Sequence, residues 1–414
     1  MYSDDIGAYA ELIVSMLNID DGRNLQIRGE PVHWDLIQEI AAAAYRRGAR
    51  YVAARSVHPG LLKARIEHSA DEYLDYVPSQ LTAMNDIMIS EEWAIVSIAS
   101  REDPDFLANV DDERNARIGK ATEQAMMPFR RALQADRFPW IVVANPTEGW
   151  ARQVLGAAPG GDAGGAGSPH ETLWQAMRPI LRLDQPDPAA AWREHTERLK
   201  RRAAVLDELH VEWLHFEGPG TDLWVGIPER AIWVGGPGKT PDGLEFLPNL
   251  PTEEVFTTPD YRRTTGRVAV TRPVTVMNKV VRGAWFEFSD GKVVDFGAET
   301  NAEVIARYLG MDAGAAYAGE IALVDAGSPI FQSGRVFYNI LFDENAACHI
   351  ALGGAYPGCI EGGEKLTDEE LPSIGANVSF VHTDFMIGSE NIQVTARTYD
   401  GREVALLRNG RFVI

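Results

Sequence analysis

Two side chains of types that commonly bind metals, His382 and Asp384, lie two residues apart in the stretch from Val378 to Ile387. Polar and apolar residues alternate along this stretch, which predicts a half-buried β-strand. Because residues i and i+2 of a strand point to the same face, the imidazole and the carboxylate would project together. These ligand types suit zinc, cobalt, manganese or ferrous iron. The same pattern is also typical of a polar surface strand, so the pair alone does not define a metal site.

A second group of acidic and imidazole side chains lies upstream, between Asp343 and His349, and it includes Glu344. One interpretation takes His349 together with His382 and Asp384 as the 2-His-1-carboxylate triad of a mononuclear non-haem iron dioxygenase that cleaves aromatic rings. A site with one iron ion would need no further acidic ligands.

Four segments of the chain, taken in order, resemble the thermophilic metalloaminopeptidases of family M29, which is typified by aminopeptidases T and S. These segments are Asn249–Pro259, Gly319–Val324, Asp343–His349 and His382–Ser389. The resemblance covers almost the whole C-terminal half and extends more loosely over the N-terminal half. It implies an aminopeptidase that hydrolyses the N-terminal peptide bond of short peptides with a water molecule activated by two metal ions, and it favours peptidase over dioxygenase.

Site residues follow from this resemblance, and no matching position departs from the family pattern. The implied metal ligands are Glu254, Glu320, Glu344, His349, His382 and Asp384. They would hold two divalent ions, zinc, cobalt or manganese, with Glu320 as the ligand shared between the ions. An excess of carboxylates over imidazoles is expected where two dications must be neutralised. The resemblance also implies a homodimer with an internal cavity.

Two further residues are candidates for catalysis. Glu253 is the candidate general base because it lies directly beside Glu254, and its alternative role is that of a solvent-facing acid. Tyr356 lies in the glycine-lined loop Gly353–Gly358, from which a phenol could donate a hydrogen bond to the oxyanion of the tetrahedral intermediate. The remaining histidines have no second ligand at a useful spacing, and we predict that they are structural or exposed.

Composition limits the class of protein and its partners. The 414 residues include 39 Lys and Arg against 60 Asp and Glu, which gives a net charge of −21. This acidity argues against nucleic acid and anionic membranes as partners and favours cations, including the amino end of a peptide. The 2 cysteines exclude a disulfide framework and predict buried thiols in a reducing compartment. The polar start of the chain lacks the pattern of a secretory signal, and no long apolar run occurs, so we predict a cytoplasmic protein.

Apolar runs alternate with helical patterns through the first half of the chain. They predict an α/β domain over residues 1–205 with an open, doubly wound sheet of parallel strands, which include Trp93–Ile98 and Pro139–Ala144. No glycine-rich nucleotide-binding motif follows a strand in this half. The stretch Gly156–Gly167 lacks lysine and has the composition of a flexible linker or surface loop.

Short strands separated by turn residues dominate residues 206–414. They predict a strand-rich α+β domain that carries the metal site. A hairpin is predicted around Ser289–Gly291, because Asp-Gly readily adopts positive φ. A helix is predicted over Ala302–Leu309, and the charged helical stretch Thr172–Leu206 is predicted to connect the two domains.

Overall fold

The structure is a computed structural model that describes residues 2–19, 22–156 and 168–414. Most of the predicted glycine-rich linker, residues 157–167, lies outside the described residues. In the part of the chain that is described, no helix combines the length and the apolar character that a membrane span requires. Both cysteines are free and buried, as predicted.

Helices and strands alternate in the first part of the described chain, and strands dominate the second part. The helices are α1 (Tyr2–Leu17), α2 (Trp34–Arg46), α3 (Pro59–His68), α4 (Ser79–Ser90), α5 (Asp112–Gln134), α6 (Glu148–Leu155), α7 (Pro169–Ile180), α8 (Pro188–Leu209), α9 (Ala302–Leu309), α10 (Pro329–Gln332) and α11 (Ile340–Asp343). The strands are β1 (Asn24–Gly29), β2 (Tyr51–Ser56), β3 (Ala94–Ile98), β4 (Trp140–Val143), β5 (Val211–Gly218), β6 (Thr221–Gly226), β7 (Gly238–Lys239), β8 (Glu245–Phe246), β9 (Asn249–Leu250), β10 (Glu254–Thr257), β11 (Thr264–Ala269), β12 (Val274–Val276), β13 (Lys279–Val281), β14 (Trp285–Ser289), β15 (Lys292–Gly297), β16 (Ala318–Val324), β17 (His349–Gly353), β18 (His382–Met386), β19 (Gln393–Thr398), β20 (Glu403–Arg408) and β21 (Arg411–Phe412).

The chain divides into two compact units. The first consists of Met1–Ala191 and Pro237–Leu250, and the second of Trp192–Gly236 and Pro251–Ile414. The predicted domain ranges, 1–205 and 206–414, differ from these units at two places. Most of α8 belongs to the second unit, and the segment that ends in β9 returns to the first unit because β9 pairs with β4.

A parallel sheet organises the first unit. Its described strands lie in the order β2-β1-β3-β4-β9, and each neighbouring pair is parallel. Strand β3 is buried along almost its whole length, as its continuous apolar sequence requires in a sheet that is covered on both faces. The predicted parallel α/β sheet is confirmed. Its doubly wound arrangement stays a prediction. The strand order favours it, because β2 lies on one side of β1 whereas β3 and β4 lie on the other. Right-handed crossovers that run in these two directions place their helices on opposite faces of the sheet.

Antiparallel sheets form the framework of the second unit. The larger sheet has the order β15-β14-β11-β6-β5-β19-β20-β21, and a smaller one has the order β10-β16-β17-β18. A shared hydrophobic core contains Phe286 from the larger sheet and Phe385 from the smaller one, with ring centroids 4.8 Å apart. Because side chains alternate along a strand, Asp384, which precedes Phe385 in β18, points to the opposite face of the sheet. The smaller sheet therefore has a second face that is free to carry polar side chains.

Several predicted elements are confirmed, and two need correction. The hairpin of β14 and β15 and the helix Ala302–Leu309 occur as predicted. The predicted helix Thr172–Leu206 is in fact two helices, α7 and α8. The first ends at Ile180, the backbone of Arg182 has a positive φ of 57° that a helix cannot contain, and Pro188 begins the second helix. The strand predicted over residues 378–387 begins only at His382, because the preceding backbone is bonded to the Asp312 carboxylate instead of a neighbouring strand.

Candidate metal centre

Strand register brings predicted ligands to one face of the smaller sheet. Glu320 on β16 lies opposite Ala351 on β17, and Ala351 lies opposite Asp384 on β18. Residues directly opposite each other in paired strands share a face, and so do residues two apart along one strand. His349 is two residues from Ala351, and His382 is two residues from Asp384. All four ligand side chains therefore project from the same face.

A fifth predicted ligand, Glu254, joins this face from the edge strand β10. It lies opposite Val324, which is four residues from Glu320 along β16 and therefore on the same face. Ala322 and Ala351 occupy the middle of the face. Their small side chains leave space above the sheet, so the longer carboxylates and imidazoles around them can converge.

The converging side chains form two overlapping groups, each of which could hold one metal ion. In the first group, Nε2 of His349 lies 3.3 Å from Oε2 of Glu254 and 3.6 Å from Oε1 of Glu320. In the second group, Nε2 of His382 lies 3.2 Å from Oε2 of Glu320 and 3.3 Å from Oδ1 of Asp384. Glu320 thus belongs to both groups and presents a different oxygen to each.

Hydrogen bonds on the far side of each imidazole determine which nitrogen faces the carboxylates. Nδ1 of His349 lies 3.0 Å from the carbonyl oxygen of Glu344, and Nδ1 of His382 lies 2.8 Å from that of Gly354. A carbonyl oxygen only accepts hydrogen bonds, so each Nδ1 carries a proton. In the neutral ring, Nε2 then directs a lone pair toward the carboxylate oxygens, and a metal ion between them would bind both kinds of ligand. Histidines that bind metals are commonly oriented in this way.

The buried carboxylates of the centre also favour the binding of cations. One carboxylate oxygen of Glu254 and one of Asp384 are buried, and neither has a hydrogen-bond partner among the described residues. Burial raises the pKa of Glu254. Burial alone would lower the pKa of His349, but the surrounding carboxylates outweigh it and raise that pKa. Buried carboxylates without a partner are costly unless a cation neutralises them, so this donor set fits divalent ions of the zinc, cobalt and manganese type.

Two other predicted site residues lie beside these groups. Glu344 is in neither group, but burial raises the pKa of its carboxyl well above the usual range, and the charges of Asp384 and Glu254 raise it further. The ring centroid of Tyr356 lies 5.2 Å from that of His382. Burial, followed by the charges of the nearby carboxylates, raises the pKa of the Tyr356 phenol. The phenol therefore keeps its proton and is available as a hydrogen-bond donor.

Glu253 is buried, although one interpretation of the sequence made it a solvent-facing acid. Its carboxylate lies 3.3 Å from Nε2 of His195, a histidine that no sequence pattern connects with the site. The available signal was the helical spacing of His195 with Trp192 and Leu199, which indicated that it lies on the buried face of α8. That spacing predicts burial, but it does not identify the contact with Glu253.

Gly353 ends β17, and the next residue, Gly354, provides the carbonyl that orients His382. With φ of 112°, Gly353 is in a region that disfavours other residues, and a Cβ there would overlap the carbonyl oxygen of Val381. We expect Gly353→Ala to lower the free energy of unfolding by about 2 kcal/mol and to weaken metal binding. Urea unfolding of the metal-free protein and metal titration measure the two effects.

Gly401→Ala is the matched control, because Gly401 also has positive φ, 85°, but open space around its Cβ position. We expect this variant to lose stability from backbone strain alone and to keep its metal affinity. If both variants lose the same stability and both keep their metal affinity, the overlap at Gly353 has no effect on the centre.

Comparison with known proteins identifies the family to which this centre belongs. The sequence profile described as thermophilic metalloprotease (M29) matches residues 2–412. The chain belongs to the M29 family. This M29 chain is 38% identical over 410 residues to Aminopeptidase 2 of Geobacillus stearothermophilus, with 99% of the chain and 97% of the relative covered. It is 37% identical over 414 residues to Aminopeptidase T of Thermus aquaticus, with 100% of the chain and 99% of the relative covered.

A solved structure supports the same assignment. The M29 chain matches wild-type AmpT from Thermus thermophilus with a TM-score of 0.91 and 35% identity, and the match covers 100% of both chains. The resemblance predicted from four sequence segments is therefore confirmed, and this M29 chain is a metal-dependent peptidase. The alternative function, a mononuclear iron dioxygenase that uses His349, His382 and Asp384, is not supported by these comparisons.

Proposed function

We propose that this M29 protein is an aminopeptidase that removes the N-terminal residue of short peptides and uses two divalent ions, zinc, cobalt or manganese. The observation that carries the proposal is the pair of ligand groups that share Glu320. A carboxylate between two sets of terminal ligands would let the chain hold two ions that share one ligand. The proposed ligands are Glu254, Glu320, Glu344, His349, His382 and Asp384.

The residues of the chain itself have distinct roles in the proposed reaction. Divalent ions, when bound, supply Lewis acidity for the scissile carbonyl and for a nucleophilic water molecule. Tyr356 donates a hydrogen bond from its phenol to the substrate oxygen on which negative charge develops. Glu253 remains the proposed general base, whose carboxylate accepts a proton from water and returns it to the leaving amine.

The exposure of the ligands suggests the direction from which a peptide approaches. The side chain of His382 is 27% exposed, whereas those of the other four clustered ligands are 9% exposed or less. Tyr356 lies on the same side, against His382. The excess of carboxylates over imidazoles favours the positively charged amino end of a peptide as the part that enters first. We also propose, from the family resemblance, a cytoplasmic homodimer whose cavity excludes folded proteins.

Peptide hydrolysis after metal removal tests the proposed function. The protein is dialysed against a chelator and then assayed on dipeptides and aminoacyl p-nitroanilides, with and without added cobalt, zinc or manganese. We expect release of the free N-terminal amino acid only when metal is restored, with two ions bound per chain. The same peptides with an acetylated N-terminus are the matched control, because they lack the amine that an aminopeptidase must recognise.

Two results would contradict this function. Equal cleavage of free and acetylated peptides would indicate an endopeptidase. Absence of hydrolysis with every metal would contradict a peptidase of any kind, most clearly if the chain retained one iron ion and consumed oxygen with a hydroxylated aromatic compound.

A further inference from the structure

Two buried side chains hold the backbone just before β10, where the ligand Glu254 begins the strand. Nε2 of His195, on α8, lies 2.9 Å from the carbonyl oxygen of Thr252. Oδ1 of Asn345 accepts a hydrogen bond of 2.7 Å from the backbone N–H of Glu253. The backbone groups of two consecutive residues are thus fixed immediately before a proposed metal ligand.

The surroundings of His195 determine its tautomer. Nδ1 of His195 lies 3.0 Å from Nη2 of Arg198, and a guanidinium only donates hydrogen bonds. Nδ1 is therefore the acceptor, and Nε2 carries the proton. That N–H donates to the carbonyl oxygen of Thr252 and lies 3.3 Å from the carboxylate of Glu253. Because His195 is only 4% exposed, water cannot readily replace these contacts.

Asn345 connects the same backbone to another proposed ligand. Its Nδ2 donates hydrogen bonds to the carbonyl oxygen of Leu341, at 3.0 Å, and to the carboxylate of Glu344, at 3.3 Å. Both the oxygen and the nitrogen of the buried Asn345 amide therefore form hydrogen bonds. Its oxygen accepts from the backbone of Glu253, and its nitrogen donates to the carboxylate of Glu344, so Asn345 links the backbone before the ligand Glu254 to the proposed ligand Glu344.

We propose that His195 is a positioning residue of the metal centre, which acts through the backbone of Thr252 and Glu253 to fix the carboxylate of Glu254. His195 contacts the carbonyl group of the peptide bond between Thr252 and Glu253, and Asn345 holds the N–H group of that same peptide bond. This inference rests on the proposed function, because it requires Glu254 to bind a metal ion. Residues that orient metal ligands without touching the metal change metal affinity or activity by about 10- to 100-fold when they are replaced. His195 has this role without being a ligand.

Cobalt affinity of the chelator-treated full-length protein, measured by titration calorimetry, tests the role of His195. We expect His195→Leu, which removes both ring nitrogens, to weaken cobalt binding by about 10- to 100-fold. His195→Gln keeps an N–H donor at a similar distance from the backbone and should recover most of the affinity.

His33→Leu is the matched control. His33 is fully buried in the first unit, and both of its ring nitrogens have hydrogen-bonding partners, Ser100 and Asn145. We expect this variant to unfold at a lower temperature than the native protein but to bind cobalt with unchanged affinity. The comparison separates a loss of positioning from a general loss of stability.

Arg198→Met is a second variant that does not alter the buried ring and keeps the test valid if His195→Leu fails to fold. Arg198 is exposed, and its removal takes away the hydrogen bond to Nδ1 that helps to hold the His195 ring in place against Thr252. We expect a several-fold loss of cobalt affinity. Arg201→Met, at another exposed position of α8, should leave the affinity unchanged.

The outcomes distinguish this inference from the proposed function. If the native chain binds no divalent ion and hydrolyses no peptide, the proposed function is wrong. If the native chain binds cobalt and cleaves peptides, but His195→Leu and Arg198→Met bind cobalt as tightly as it does, only the positioning role is wrong. An equal loss of affinity in His33→Leu would also overturn that role, because the loss would then reflect general destabilisation.

Discussion

Glu320→Gln is expected to lower kcat for peptide hydrolysis by about a thousandfold or more, which corresponds to about 4 kcal/mol in the activation free energy. Glu320 belongs to both ligand groups and presents one oxygen to each of them. The amide of glutamine is neutral and has one oxygen, so it cannot serve two dications as a carboxylate does. We expect both the metal content and the rate to fall, as measured by elemental analysis and by initial rates at saturating cobalt.

Glu403→Gln is the matched control for this charge change. Glu403 is an exposed residue at the start of β20, away from the smaller sheet. We expect this variant to keep the native metal content and kcat. A Glu320→Gln variant that retained two ions per chain and more than about a tenth of the native kcat would contradict the proposal that Glu320 is the shared ligand.

Tyr356→Phe is expected to lower kcat by about 100- to 1000-fold, with little change in KM or in metal affinity. The substitution removes only the phenolic oxygen, and the ring can keep its contacts with His382 and Phe256. Because the phenol is proposed to donate to charge that develops during the reaction, its loss should affect the transition state more than the bound substrate. Steady-state kinetics on one p-nitroanilide, together with cobalt titration, measure all three quantities.

Tyr399→Phe is the matched control for the loss of a tyrosine hydroxyl. The Tyr399 hydroxyl donates a hydrogen bond of 2.9 Å to the carbonyl oxygen of Ile227, and neither residue belongs to the metal centre. We expect a loss of about 1 kcal/mol in the free energy of unfolding and no change in kcat. If Tyr356→Phe raised KM and left kcat unchanged, the phenol would bind substrate without stabilising the transition state.

Sequence patterns predicted those parts of the site that lie within one strand. His382 and Asp384 share a face because side chains alternate, and the structure confirms that these residues lie on one strand. The spacing of residues along the chain could not predict that these two lie beside Glu254, Glu320 and His349, because that proximity depends on the register between paired strands. The family resemblance supplied those residues, and the register explains why they meet.

Contacts made through the backbone could not be predicted from the sequence. His195 and Asn345 contact the backbone of Thr252 and Glu253. Every residue has these backbone groups, so the residue types at positions 252 and 253 do not indicate the contacts. The late start of β18 has a similar origin, because Asp312 bonds the backbone of Phe380. The apolar runs of the parallel sheet were easier to predict, since burial on both faces requires them.

The position of β9 has a consequence for the synthesis of the protein on the ribosome. Strand β9 covers the edge of β4, and the segment before it buries Phe246 and Leu247. This edge stays unpaired until Leu250 has been made, by which time Trp192–Gly236 of the second unit is already present. An unpaired strand edge can pair with another chain, so the nascent first unit remains prone to association until its last strand emerges. A fragment that ended at residue 205 would keep that exposed edge permanently.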